Sequence, residues 1–129
     1  MEESILVSIK KLLGIAESDT NFDTDVIMHI NTAFATLHQL GIGPKNGFSI
    51  SDSSSVWSDF FSEDRLNSVK TYVFMTVKLI FDPPSQGSAL ETMKEYKKEL
   101  EWRLKVVGET NEDSESDTFE TEEDIIDGI

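Results

Sequence analysis

Two histidines, no cysteine and a surplus of carboxylates are the raw material for chemistry in this chain of 129 residues. Without cysteine there are no disulfides, no thiol nucleophile and no thiolate metal site. His29 and His38 lie nine positions apart on one predicted helix. At about 100° per residue they point to opposite faces and cannot share a metal. One packed and one surface histidine is the expectation. Asp19, Asn21 and Asp23 match the opening ligands of a calcium loop, but Thr24 replaces the sixth-position glycine and Ile30 the closing glutamate. That segment reads as a linker and a helix cap. Gly41-Ile42-Gly43-Pro44-Lys45 follows a helix rather than a strand, and Gly47 is followed by Phe48, so it reads as a turn and not a phosphate loop. No two carboxylates share an apolar setting that would split acid from base, and no nucleophile elbow occurs. The residues predict no enzyme, no cofactor and no metal.

Charge points elsewhere. The net charge is −14, and ten of the acidic residues fall in 109–129, which has no Lys or Arg. Residues 1–108 hold 15 acidic and 11 basic residues, a net of −4. Tight DNA binding needs cations to neutralise phosphates, and this balance argues against it. Lys94, Lys97, Lys98 and Lys105 alternate with Glu91, Glu95, Glu99 and Glu101, with Glu91–Lys94 and Glu101–Lys105 spaced for pairing along a solvated helix face. Trp102 and Arg103 interrupt that face and are candidates for an edge that meets a neighbouring subunit. Within the acidic tail Phe119, Ile125, Ile126 and Ile129 are out of keeping with a purely solubilising segment. Burying four such side chains contributes about 6–10 kcal/mol, at about 1.5–3 each. Ordering the segment costs a similar amount, at about 1 kcal/mol or more per residue. One tail therefore docks weakly, whereas a ring of them gains through effective concentration.

The elements that must position these residues are helical. Glu2 to Leu13 carries Ile5, Ile9, Leu12 and Leu13 at helical spacing, with Gly14 as its C-terminal cap. Asp23 is the expected cap of a second helix whose apolar face is Ile27, Ile30, Phe34 and Leu37, ending at Leu40-Gly41. Residues 41–56 are Gly-, Ser- and Asn-rich, with Phe48-Ser49-Ile50 as a possible hairpin arm around Ser51 to Ser55. Val56, Trp57, Phe60 and Phe61 form an aromatic knot, with one helical turn at most. Glu63 to Phe81, capped by Ser62, is apolar almost all round from Val69 and belongs between other helices. Asp82-Pro83-Pro84 stops it. The last helix opens with a capping-box pattern at Ser88-Ala89-Leu90-Glu91, buries Leu90, Met93, Leu100, Leu104 and Val107, and is expected to end at Gly108. The fold class is all-α: a small bundle of about four helices over 1–108, a short loop or hairpin insertion, and an acidic tail over 109–129 that is disordered or ordered on a partner. No stretch approaches a spanning helix and the N-terminus is acidic rather than basic, so a soluble protein made in the cytoplasm is expected, with no membrane partner.

Several segments together resemble one family. They are Phe22-Asp23 with His29-Ile30-Asn31; Leu37-His38-Gln39-Leu40-Gly41-Ile42-Gly43; Phe48-Ser49-Ile50; and Trp57-Ser58-Asp59-Phe60. Val69-Lys70-Thr71-Tyr72-Val73, Leu79-Ile80-Phe81-Asp82-Pro83-Pro84 and Glu99-Leu100-Glu101-Trp102-Arg103-Leu104 continue the series. In that order they resemble the head-tail connector (adaptor) proteins of siphophages of Gram-positive bacteria, often labelled phage DNA-packaging proteins. The resemblance covers residues 1–107 or so and leaves the tail outside. It implies a structural virion protein at the head-tail interface, assembled as a ring of about twelve copies if it follows portal symmetry. Its partners would be the portal protein, copies of itself, and the next connector or stopper protein. DNA would pass through its channel without specific binding, past an acidic wall that traps no phosphates. The competing reading is an acidic host-directed inhibitor or DNA mimic, which would need its carboxylates spread over the folded body rather than gathered in the tail.

Overall fold

The computed structural model of the protein describes residues 3–60 and 66–120, with side chains described as far as Gly108. Among the described residues the helices are α1 (Ile5–Leu13), α2 (Asp23–Gln39), the single turn α3 (Trp57–Phe60), α4 (Leu66–Phe81) and α5 (Gly87–Glu120). The chain is an all-α bundle with a loop insertion between α2 and α3, as its periodicity predicts. The expected Ser62 cap lies outside the described residues.

Helix α4 is the hub and packs against α1, α2 and α5. It buries Val69, Tyr72, Val73, Met75, Thr76 and Val77, a band too wide for one neighbour. Ile80 departs from the all-round pattern and faces solvent in the last turn. Helix α1 is capped as a short helix should be. The Ser4 hydroxyl accepts from the Val7 N–H at 3.2 Å, and Gly14 closes the other end at φ 84°. Leu12, expected on its buried face, is exposed, and Lys10 is buried in that helix instead.

Lys10 explains a second departure. Its Nζ lies 2.8 Å from Asp23 Oδ1 and donates to the Glu17 carbonyl at 3.2 Å. Asp23 is therefore not the cap of α2. Phe22 occupies that position without a side-chain hydrogen bond, and Asp23 is the first helical residue. The buried Asp23 oxygen receives no well-directed hydrogen bond, so the ammonium charge compensates it. A buried cation demands a counter-charge more strongly than an N-terminus demands a cap.

The insertion contains no strand pairing beyond one isolated bridge, Ser4 with Val56. The hairpin expected around Phe48-Ser49-Ile50 is replaced by a side chain. Asn31 of α2 accepts from the Ile50 N–H at 2.8 Å and donates to the Ile50 carbonyl at 2.9 Å, doing for one residue what a partner strand would do. Phe34 then gathers the insertion over the core, with ring centroids 4.5 Å from Phe60, 5.1 Å from Phe48 and 6.3 Å from Trp57. The Trp57 indole N–H donates to Ser8 Oγ at 2.8 Å, satisfying its one polar group in the interior. Gly43, at φ 95°, passes directly under Phe60, where a Cβ would come within 2.4 Å of the ring.

Helix α5 opens at Gly87, so Ser88 sits inside its first turn and no capping box forms there. Its inner face is the expected one: Leu100 and Leu104 are buried, with Leu90, Met93 and Val107 half-buried. The expected end at Gly108 is wrong, because α5 continues to Glu120. Gly108 is a contact point and not a stop. A Cβ there would lie 1.7 Å from the Leu40 carbonyl oxygen, and the Cα of Gly41 is 3.1 Å away from the same position. The end of α2 and the middle of α5 thus meet backbone to backbone.

Candidate functional site

The residues that could have carried chemistry are held in structural roles. His29 is half-buried with its ring 6.4 Å from that of Phe81, while the exposed His38 shares a 2.8 Å hydrogen bond with the Lys45 carbonyl. The Asp19 carboxylate accepts from the Asn21 N–H at 3.1 Å, and Asp23 faces Lys10, so the three candidate calcium ligands do not converge. Among the described residues no three His, Asp or Glu side chains are grouped as a metal requires. The glycine-rich segment is a turn in which Gly41, Gly43 and Gly47 all take positive φ.

What remains is the surface of α5, and its inner side fixes how that surface is presented. The Tyr72 hydroxyl of α4 donates to Glu101 Oε2 at 2.7 Å, and Lys97 lies 3.6 Å from the same oxygen and over the Tyr72 ring. Burial, and then the neighbouring Glu101 carboxylate, push the Tyr72 hydroxyl above its ordinary value of 10.0. Glu101 was expected to pair with Lys105; it turns inward to Tyr72 and Lys97 instead, because those partners lie at the helix–helix seam. Glu91 and Lys94 do pair, at 3.9 Å.

With Leu100, Leu104 and Lys97 facing α4, helical geometry carries Trp102 to the opposite side. Trp102 is 66% exposed, and Val106, one turn on, is 41% exposed. Arg103 is also exposed and is paired with Glu99 on the same helix, not stacked on Trp102. Of the other sequence candidates, Phe119 falls within α5 but beyond the described side chains, and Ile125, Ile126 and Ile129 lie outside the described residues. The two interface candidates that can be placed are therefore side by side on the outer face.

A second feature escaped sequence reasoning. Between α4 and the first half of α5 runs an open groove of about 440 Å³ lined by Met75, Ser88, Ala89, Thr92, Met93 and Tyr96. Its signal was present in the spacing of Ala89, Met93 and Tyr96, which recur at i, i+4 and i+7 beside the core stripe. No helix among the described residues is long and apolar enough to cross a membrane.

Comparison with known families decides the setting of the chain. The model of the family described as phage connector protein matches residues 5–111. The chain belongs to that family. The match reaches past Gly108, in agreement with the uninterrupted course of α5, and leaves the last part of the acidic segment outside. No curated protein and no solved structure matches the chain. As a phage connector it has a structural role in the virion.

Proposed function

We propose that this connector assembles as a ring of about twelve copies beneath the portal, extends the DNA channel towards the tail, and performs no catalysis. The observation that carries the reading is Trp102. A large aromatic side chain is left two-thirds exposed on the face of α5 opposite the core, and it is the residue type enriched at the energetic centres of protein interfaces. Val106 widens the patch, and Arg103 beside it offers a planar donor group to a partner carboxylate. The portal above, the next connector or stopper below, and neighbouring copies at the sides are the partners such a subunit needs. DNA is guided without being held, since the body has a net charge of −4 and its lysines are interleaved with glutamates.

The test is to mix the purified protein with the portal ring of the same phage, sediment the mixture and image the fast fraction by negative stain. A second ring cosedimenting under the portal is the expected result. A portal that stays intact and recruits nothing would remove the reading. Truncation belongs after Asn111 rather than at Gly108, because a cut at Gly108 would damage the contact with Leu40 and Gly41. Loss of portal binding by that truncated chain assigns docking to the acidic segment; retention assigns it to the helical body.

A further inference from the structure

We infer that the groove between α4 and α5 receives the apolar end of the acidic tail, Ile125-Ile126 with Ile129, from a neighbouring copy of the chain. The inference rests on the ring reading above and names a contact that would close the ring. The groove offers Met75, Ala89, Met93 and Tyr96 as apolar walls, with the Ser88 and Thr92 hydroxyls among them. Its volume of about 440 Å³ is within the range of pockets that hold small apolar ligands. Methionine walls adapt to aliphatic side chains of irregular fit.

Reach decides whose tail it is. From Met93 to Glu120 helix α5 extends on the order of 40 Å, at about 1.5 Å per residue. The residues after Glu120 up to Ile129 span about 30 Å even when fully extended. Ile126, only part of the way along, falls further short. A tail therefore cannot fold back into the groove of its own chain while α5 is intact, and α5 directs it away from that groove. A second copy is the occupant that geometry allows. A head-to-tail contact of this kind closes into a ring when the rotation between copies permits. The weak single contact then gains from effective concentration around the ring.

The absence of native cysteine makes introduced thiols clean probes. The full chain carrying both Ala89→Cys and Ile126→Cys is assembled on the portal, oxidised, and run on a non-reducing gel. A ladder of disulfide-linked multimers is expected, and adding Thr92→Arg in the exposed floor of the groove should abolish it. Rings that form on the portal but give no ladder overturn the tail-in-groove contact and leave the ring reading standing. No rings and no ladder overturn both, whereas a ladder without portal binding supports the contact and removes the portal. As a second measurement, Ile126→Cys labelled with benzophenone is photolysed in the assembled ring. Cross-linking to a neighbouring copy is expected; cross-linking to the portal alone would overturn the proposal.

Discussion

The loop insertion with α3 and the outer face of α5 both carry aromatic and polar residues, yet they direct them oppositely. In the insertion Phe48, Trp57 and Phe60 converge on Phe34, and Asn31 pairs both backbone groups of Ile50. On α5 the ion pairs are local to the helix, and Trp102 is 66% exposed. An irregular segment is made rigid by satisfying its polar groups inside the subunit, whereas a regular helix keeps its shape without help and can leave a side chain unused. A connector needs both kinds of region: a body that does not yield and a face still free to bind.

The comparison breaks most visibly at Phe34. Phe34→Ala should cost about 3–5 kcal/mol, because the cavity opens under three aromatic partners at once. Urea unfolding of the purified protein measures it. A loss below about 1 kcal/mol would mean that the insertion is not seated as described. Gly108→Val is next, at about 3 kcal/mol by the same measurement. The valine gains helix propensity over glycine, but its Cβ would stand 1.7 Å from a carbonyl oxygen that belongs to backbone and cannot rotate away. A loss of only about 1 kcal/mol, the order expected where a side chain replaces a glycine helix stop, would argue against the close crossing.

Gly108 also shows where sequence reasoning reached and where it failed. Helix existence and the inner faces of α2 and α5 were legible because apolar periodicity survives any tertiary arrangement. Ile30, Phe34, Leu37, Leu100 and Leu104 are all buried as predicted. The glycine near a helix end was misread because a stop and a close crossing require the same missing Cβ, and only the position of Leu40 tells them apart. Asp23 and Glu101 were misassigned for a related reason. Each has an attractive local partner in sequence, but a distant one, Lys10 or Tyr72, lies in a less hydrated place where the pairing counts for more. Trp102, a candidate for a neighbour-facing edge, is exposed on α5, while the groove beside Met93 went unnoticed because its residues are individually unremarkable.

The seam that holds α5 sharpens the comparison at a smaller scale. Tyr72→Phe should cost about 1 kcal/mol at neutral pH, since Glu101 keeps Lys97 and is not left alone. The larger signature is in alkali. The folded state holds the Tyr72 proton more tightly than the unfolded chain does, so the stabilisation is fully present below the ordinary value of 10.0 and is lost as the pH rises above it. The wild-type protein should therefore weaken above pH 10 more steeply than Tyr72→Phe. Parallel stability curves for the two would sever the link between that hydroxyl and the anchoring of α5.

The smallest effect on stability is expected where the proposed function is greatest. Trp102→Ala removes a side chain that is 66% exposed and meets neither core nor insertion, so urea unfolding should shift by no more than about 0.5 kcal/mol. Ring formation on the portal should nevertheless fall sharply, because loss of an interfacial tryptophan typically costs about 2 kcal/mol or more per contact and the contact is repeated around the ring. Phe34→Ala supplies the opposite pattern, with stability lost first and assembly lost only because the fold is gone. A Trp102→Ala protein that unfolds early would place the tryptophan within the bundle's own energetics. One that folds normally and still forms rings would move the subunit contact off this face of α5, leaving the groove and the tail to account for assembly.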